Sequence, residues 1–248
     1  MASFAKTVIN FFLVTFLSIL LCSFIILFSF AQSMKPETIK PVLKELFQLS
    51  IPSDTDLNIS YQNFKEACKK ENFIELPLDK ENKENIKLDC NRLRSSKPSD
   101  LGDLLAESMF DEIYYKKYDC IFLGCLKNAL NSPFLLSNAS NTLLTNIGYI
   151  ILALFFILVL AFSPILGIKN IASIFLVNGI SFFVFFIRKN IIDSISQMNQ
   201  LKQLAPLVSS FIYYFSILSI ASLGIAIVLF LVSKIPKSKS AKQKKKKR

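Results

Sequence analysis

The sequence predicts an all-α polytopic membrane protein, with four transmembrane helices and a mostly helical, disulfide-stapled extracytoplasmic domain between helices 1 and 2. The 248 residues are 52% hydrophobic and include 24 Phe but no Trp, which is more apolar than the core of a soluble domain of this length requires. The apolar residues are concentrated in four stretches, and a basic segment without acidic residues follows the last stretch. These three observations define the expected fold class.

The four apolar stretches contain no Asp, Glu, Lys or Arg and are long enough to cross a bilayer. A helix rises about 1.5 Å per residue, so about 20 residues cross a hydrocarbon layer about 30 Å thick. The stretches are Val8–Ala31, Ile147–Ile168, Ile171–Ile187 and Leu207–Ser233. With 17 residues the third stretch is the shortest, and a re-entrant or interfacial segment is its alternative interpretation.

Residues 1–31 are predicted to form the first transmembrane anchor. A cleavable signal peptide is the competing interpretation, because in Ser29-Phe30-Ala31 the first and third residues are small, as signal peptidase requires. The anchor is favoured because the apolar run is longer than the hydrophobic region of a signal peptide, which has about 7 to 15 residues. Cleavage would leave three spans with the same orientation.

The distribution of charge predicts which side of the membrane each segment faces. Residues 32–146 carry 15 Lys or Arg against 17 Asp or Glu, whereas the rest of the chain carries 14 Lys or Arg and the single acid Asp193. Cytoplasmic flanks of membrane helices hold the excess of Lys and Arg, so Lys6 and the tail at residues 234–248 are predicted to be cytoplasmic. Because both ends are then on the same side, the chain must cross the membrane an even number of times. The short third stretch is therefore counted as a span, and residues 32–146 are predicted to lie outside the cytoplasm.

Residues 147–187 are predicted to form a transmembrane helical hairpin with a tight cytoplasmic turn at Ser163–Asn170. Pro164 and Gly167 suit such a turn. The next segment, residues 188–206, is amphipathic and is predicted on the outer side, although it begins with two cations that oppose this assignment. It lies either in the membrane interface or against the extracytoplasmic domain.

Apolar residues at helical spacing predict that residues 32–146 are mostly helical. Helices are expected over Pro36–Leu49, over a shorter piece around Tyr61–Cys68, and over Pro98–Tyr115. The Lys- and Glu-rich stretch Asp79–Lys87 is expected to be a solvated loop or an exposed helix. The pattern predicts no β-hairpin.

Four of the five cysteines fall in the segment that is predicted to lie outside the cytoplasm. An even number of cysteines in a small oxidising domain predicts two disulfides, with three connectivities open. Pairing in sequence order, first with second and third with fourth, is the simplest. The four residues are Cys68, Cys90, Cys120 and Cys125. Cys22 lies inside the first span, and we assign it no role.

A thiol oxidoreductase is the main enzymatic alternative, because quinone-coupled thiol oxidases also combine four spans with four extracytoplasmic cysteines. The chain has no Cys-x-x-Cys, and its closest pair, Cys120 and Cys125, has no Lys, Arg or His beside it to favour a thiolate. Structural disulfides are therefore preferred. The sequence contains no His, which excludes the common His-based catalytic and metal sites. We predict no catalytic residue, no metal site and no cofactor.

The absence of Asp, Glu, Lys and Arg from the spans argues against an ion-coupled transporter. Asn10 in the first span and Asn178 in the third are the strongest polar groups in the membrane. We expect them to form hydrogen bonds between helices.

The basic tail is predicted to bind anionic lipid at the cytoplasmic leaflet. A cytosolic protein partner and a dilysine sorting signal are its alternatives, and nucleic acid is disfavoured because the excess charge follows membrane topology. The predicted lipid-binding residues are Lys242, Lys244, Lys245, Lys246, Lys247 and Arg248.

Two sequons lie on the predicted outer side, at Asn58 and at Asn138. Asn58 is the better glycosylation candidate because Asn138 is close to the membrane.

The sequence has no recognisable catalytic motif, yet it is predicted to encode a folded extracytoplasmic domain. Together these two features predict a non-catalytic protein. We expect a subunit or adaptor of an envelope or endomembrane complex that binds an unknown membrane or extracytoplasmic protein through its ectodomain. An accessory component of a channel or transporter is the rival, and it predicts water-lined polar faces where the helices pack.

Overall fold

The computed structural model describes residues 2–48, 54–77, 85–116, 137–197 and 202–234, and it is mostly helical. In chain order the elements are α1 Ala2–Ser33, α2 Pro36–Gln48, α3 Asp54–Ala67, β1 Phe73–Pro77, β2 Asn85–Asp89, α4 Cys90–Ser95, a 3₁₀ turn Pro98–Asp100, α5 Leu101–Tyr114, α6 Asn138–Ile180, a 3₁₀ turn Ser181–Phe183, α7 Val184–Gln197, a 3₁₀ turn Lys202–Leu204 and α8 Ala205–Lys234.

The chain divides into two compact units. The first, which we call the helical bundle, takes its residues from Met1–Ile26, Gly148–Phe186 and Phe215–Arg248. The second, which we call the disulfide domain, takes its residues from Leu27–Ile147 and Ile187–Tyr214. The chain therefore passes between the two units four times.

Three helices are long and apolar enough to cross a membrane. They are residues Phe4–Ser33 of α1, all 43 residues of α6, and the 30 residues of α8, with mean hydropathies between 2.7 and 2.8 in their most apolar windows. A helix of about 20 apolar residues already spans a bilayer. This supports the membrane protein that the composition predicts, with three such helices where the sequence predicts four spans.

The long helix α6 consists of two arms that reverse direction at Gly167. In a straight helix, residues 20 positions apart lie about 30 Å apart, yet the ring centroids of Phe155 and Phe175 are 5.7 Å apart. Gly167 provides the break with φ 68° and ψ 159°, a combination that is essentially restricted to glycine. The second and third predicted spans therefore share one helical element, whose second arm continues through the 3₁₀ turn at Ser181–Phe183.

The second arm of α6 approaches α8 closely. A Cβ atom added to Gly179 would lie 2.7 Å from the backbone of Leu223, so only glycine permits this separation. Small residues at helix contacts are typical of membrane bundles, where van der Waals packing drives association. On α8 the buried small residues are Ser216, Ser219, Ser222 and Ala226.

A covalent link closes the first core of the disulfide domain. A disulfide joins Cys68, directly after α3, to Cys90, the first residue of α4, with Cα atoms 5.2 Å apart. Both cysteines are fully buried. The two sulfurs lie within an apolar cluster whose other buried members are Tyr61, Leu88, Leu93 and Leu101.

A second core lies between α2 and α5. The amphipathic face of α2 contributes Ile39 and Leu43, and α5 contributes Phe110 and Tyr114. The Tyr114 hydroxyl donates a hydrogen bond to the carbonyl oxygen of Met34 at 3.3 Å. This core fixes the position of α5.

The β-hairpin corrects the prediction that the domain contains only helices and loops. β1 and β2 pair antiparallel, with Phe73 opposite Asp89 and Glu75 opposite Lys87. Ile74 packs against the apolar cluster around the disulfide, whereas Phe73 and Glu75 are exposed. The end of the predicted loop or helix at Asp79–Lys87 is thus a strand, and its preceding residues lie outside the described part of the chain.

The helices predicted in this domain are present with changed ends. α2 matches the helix predicted over Pro36–Leu49, and α3 begins before the expected piece at Tyr61–Cys68. The helix expected over Pro98–Tyr115 is a 3₁₀ turn followed by α5. The first half of the predicted outer segment, residues 188–206, belongs to α7, which begins earlier at Val184 and ends at Gln197.

Candidate functional site

The Cys68–Cys90 disulfide has the surroundings of a structural bond. Both residues have no exposed surface, and Arg94 donates a hydrogen bond to the Cys68 carbonyl oxygen. Thiol exchange requires a thiolate to reach one of the two sulfurs. Burial prevents this approach unless the domain opens. Cys120 and Cys125 lie outside the described residues.

Polar side chains in the helical bundle donate hydrogen bonds to backbone carbonyls of their own helix or of a neighbouring helix. Asn178 Nδ2 donates to the Ile174 carbonyl oxygen at 2.9 Å and lies 3.4 Å from that of Ser18 on α1. Ser222 Oγ donates to the Phe175 carbonyl oxygen at 2.8 Å. These bonds join α1 and α8 to the second arm of α6. Asn10, for which we also expected an interhelical bond, has its buried Oδ1 without a hydrogen-bond partner within the described residues.

Ion pairs connect α2, α4 and α5 on the surface of the disulfide domain. Lys40 binds Glu107, and Lys44 Nζ lies 2.7 Å from Asp103 Oδ2. Arg92 Nη1 lies 3.1 Å from Glu107 Oε2. The hydrogen bond from Lys40 lowers the pKa of Glu107, and the nearby positive charges lower it further. Each of these three cations is therefore paired with an acid of the domain, and Glu107 is shared between Lys40 and Arg92.

Two clefts flank the C-terminal half of α5. One, of about 570 Å³, lies between α2 and α5, and Pro41, Phe110 and Tyr115 are among its walls. The other, of about 440 Å³, lies between α5 and the polar face of the β-hairpin, and Phe73 and Tyr115 are among its walls. Tyr115 thus borders both clefts.

Two large apolar side chains stand out in the described part of residues 34–116. Phe73 is 54% exposed and Tyr115 is 57% exposed, and they are the exposed large apolar residues of that range. Both border the cleft between α5 and the hairpin. Exposed apolar groups that cluster on an otherwise polar surface mark interaction sites. We name the cleft that they border the Tyr115 cleft and treat it as the candidate site.

Aromatic rings hold Tyr115 in place. Its ring centroid lies 5.1 Å from that of Tyr114 and 6.2 Å from that of Phe110, with edge-to-face geometry in both pairs. Tyr114 and Phe110 are themselves buried. An exposed ring that is braced in this way loses little conformational entropy on binding, which is typical of interface anchors.

The structure separates the predicted site residues. Asn58 lies within α3, and Asn138 is the first residue of α6. The residues predicted to bind lipid all follow Lys234 and lie outside the described residues. Within the described ranges, no group of three His, Cys, Asp or Glu side chains is placed to hold a metal ion.

Sequence reasoning missed the Tyr115 cleft because its walls come from separate elements. One wall follows helical spacing along α5 and its C-cap, with Ser108, Asp111, Glu112 and Tyr115 lining the cleft together. That spacing was available in the sequence. The strand that brings Phe73 opposite this face was not predicted.

No family model, no curated protein and no solved structure matches the chain. The geometry of the Tyr115 cleft and of the bundle is therefore the basis for a functional assignment.

Proposed function

We propose that this chain is a non-catalytic, four-span membrane protein that acts as a subunit or adaptor of an envelope or endomembrane complex. The disulfide domain binds the protein partner, and the helical bundle anchors it. The observation that carries this proposal is the pair of exposed aromatic residues, Phe73 and Tyr115, on one cleft of a folded, covalently closed domain. Exposing aromatic surface is unfavourable in water unless a partner covers it.

Four crossings are supported by the connectivity of the two units. The chain enters or leaves the disulfide domain four times, and the reversal at Gly167 separates the two middle passes. The third pass combines the second arm of α6, the turn Ser181–Phe183 and the start of α7, an apolar run of about the length that a bilayer requires. An even number of crossings keeps both termini on one side of the membrane.

The cytoplasmic side is assigned to the termini because the positive charge is concentrated there. Nine cations in residues 234–248 follow the last span, and each contributes about 1 kcal/mol near an anionic leaflet. Lys242, Lys244–Lys247 and Arg248 are the proposed lipid contacts. Residues 32–146 then lie outside the cytoplasm, where disulfides persist.

The polar contacts of the bundle favour an anchor over a channel or transporter component. The side chains of Asn178 and Ser222 donate hydrogen bonds to backbone carbonyls of their own or a neighbouring helix. They do not form the water-lined polar face that a channel component would need. Such bonds hold helices together. The predicted spans contain no Asp, Glu, Lys or Arg that could bind a charged substrate.

Burial of Cys68 and Cys90 favours a structural disulfide over a thiol oxidoreductase. Labile, catalytic disulfides are exposed or strained, whereas structural ones are shielded. The same bond closes the domain that carries the proposed binding surface.

Purification of the full chain from its native membranes in mild detergent, followed by mass spectrometry, tests this function. The wild-type chain should retain a stoichiometric protein partner. A Cys68→Ser/Cys90→Ser variant should lose that partner, whereas Cys22→Ser should keep it. Recovery of the wild-type chain alone, or with a bound quinone, would contradict the adaptor function.

A further inference from the structure

The Tyr115 cleft has two facing walls. One is formed by Ser108, Asp111 and Glu112 of α5 and by Tyr115 directly after the helix. The other is the polar face of the hairpin, where Phe73 and Asp89 are opposite each other across the two strands. With a volume of about 440 Å³, the cleft has room for one or two side chains of a partner rather than for a large cofactor.

The cations that border this cleft already face acids of the same domain. Arg92 Nη1 lies 3.1 Å from Glu107 Oε2. Lys87 lies directly opposite Glu75 in the antiparallel register, where opposite charges interact favourably. Both cations of the cleft therefore face an acid of the same domain, and the lining as a whole holds three carboxylates against two cations.

The carboxylates on the α5 wall are not compensated in the same way. Asp111 and Glu112 are both exposed, and no ion pair to either is formed by the described cations. Asp89 is the third carboxylate, and its Oδ1 accepts a hydrogen bond from the backbone N–H of Asn91 at 2.8 Å. The cleft thus combines two exposed aromatic rings with an excess of negative charge.

We propose that the Tyr115 cleft binds a Lys- or Arg-bearing segment of the protein partner. The cationic group would lie against the rings of Phe73 and Tyr115, because aromatic faces attract cations. Asp111 and Glu112 would then form charge-assisted hydrogen bonds with it. This assignment rests on the proposed adaptor function and names the chemistry of the partner.

Site-specific photo-crosslinking in the full-length chain in its native membranes tests the proposal. A photoreactive phenylalanine analogue replaces Tyr115 in one variant and Phe73 in another. The matched control carries the analogue at Gln62, an exposed position on α3 that does not line the cleft. Both cleft positions should crosslink to the same protein, at a peptide that contains Lys or Arg, and the control should not.

Reversing the charge of the two cleft carboxylates tests whether the bound group is a cation. Asp111→Lys/Glu112→Lys, combined with the analogue at position 115, should lower the crosslinking yield about tenfold or more because the partner cation is repelled. Lys is compatible with folding here because it suits the C-terminal end of a helix. Glu66→Lys/Glu71→Lys makes the same change in net charge at exposed positions outside the cleft, and it should leave the yield unchanged.

The outcomes separate this inference from the adaptor function. Crosslinks that persist after charge reversal, crosslinks to lipid alone, or crosslinks to a second copy of this chain would overturn the cationic-partner assignment. So would a copurifying partner that retains binding in the reversed variant, although the adaptor function would then stand. If the wild-type chain copurifies with no partner, the adaptor function itself fails. Comparison of disulfide formation in all variants on non-reducing gels identifies any loss of folding.

Discussion

The helical bundle and the disulfide domain use their polar groups differently. In the bundle, Asn178 and Ser222 bind backbone carbonyls of other turns. In the domain, charged residues pair across helices, but Asp111 and Glu112 remain exposed beside Tyr115. Lipid offers no hydrogen bonds, so such internal bonds lower the cost of a polar group in a membrane helix, although Asn10 Oδ1 and Ser219 Oγ have no hydrogen-bond partner within the described residues. The disulfide domain, which we propose binds a partner, leaves these groups at its surface.

The two units also differ in how they are held together. The domain depends on a covalent bond and two apolar cores, since a small unit in water buries a limited apolar area. The bundle depends on close fit, as at Gly179, because lipid and apolar side chains are equally hydrophobic. Each unit should therefore respond to a different kind of substitution.

Removal of the disulfide should have the largest effect, and it should be confined to the domain. The Cys68–Cys90 bond closes a loop with a sequence separation of 22, so Cys68→Ser/Cys90→Ser should cost about 3 kcal/mol. Native-state proteolysis within residues 34–116 measures the loss. Cys22→Ser, which changes a free cysteine in α1, is the control. Equal protease resistance in the two variants would show that the bond does not hold the domain.

Gly179→Ala should destabilise the bundle by about 1 to 3 kcal/mol, because the added methyl group would overlap the Leu223 backbone at 2.7 Å. Gly224→Ala is the matched control, since no atom lies within 4 Å of its added methyl group. Thermal unfolding in detergent, followed by near-ultraviolet circular dichroism, compares the two. If both variants melt together, α6 and α8 do not pack as described.

Loss of an interhelical hydrogen bond should have a smaller effect on the same unit. Asn178→Leu removes the donor to the Ile174 and Ser18 carbonyls, and such bonds contribute about 0.6 kcal/mol on average in membrane proteins. The same melting measurement should show a small decrease. A decrease larger than that of Gly179→Ala would reverse our view that fit dominates in the bundle.

The ion pairs of the domain should give the smallest effect, and it should depend on pH. The pKa of Glu107 is lowered below its usual value of 4.5 in the folded chain by the Lys40 hydrogen bond. Ionised Glu107 therefore stabilises the folded domain fully at pH values above 4.5. This stabilisation is lost as the pH falls through the lowered pKa of the folded state. Glu107→Gln should destabilise the domain by about 0.5 kcal/mol at pH 7 and by less at pH 3. Glu66→Gln, at an exposed site without an ion pair among the described residues, should have no effect at either pH.

The sequence predicted the helical parts of both units better than the site. Long uncharged runs and the breakers Pro164 and Gly167 are strong local signals, and the reversal at Gly167 falls inside the predicted turn. The hairpin was missed because each strand has only five residues, and β2 begins in a Lys- and Glu-rich stretch. Alternation over so few positions does not distinguish a strand from a loop.

The Tyr115 cleft was harder to predict because it depends on tertiary contacts. Helical spacing places Asp111, Glu112 and Tyr115 on one face, but burial decides which face is exposed. Ile74 faces the core and leaves Phe73 on the other side of the strand, which follows from the period of two only once the strand is known. The sequence pattern thus predicts local secondary structure, whereas the Tyr115 cleft forms only when the hairpin packs next to α5.

The sidedness of the two units is the central claim, and impermeant maleimide labelling of single introduced cysteines in sealed, oriented membranes tests it directly. The positions are Gln62 in the domain, Ile168 beside the α6 reversal, and Ser240 in the tail, with the unmodified chain as background. Our account predicts that Gln62→Cys is labelled from the extracytoplasmic side, and that Ile168→Cys and Ser240→Cys are labelled only after permeabilisation. Labelling of Gln62→Cys and Ser240→Cys from the same side would contradict it.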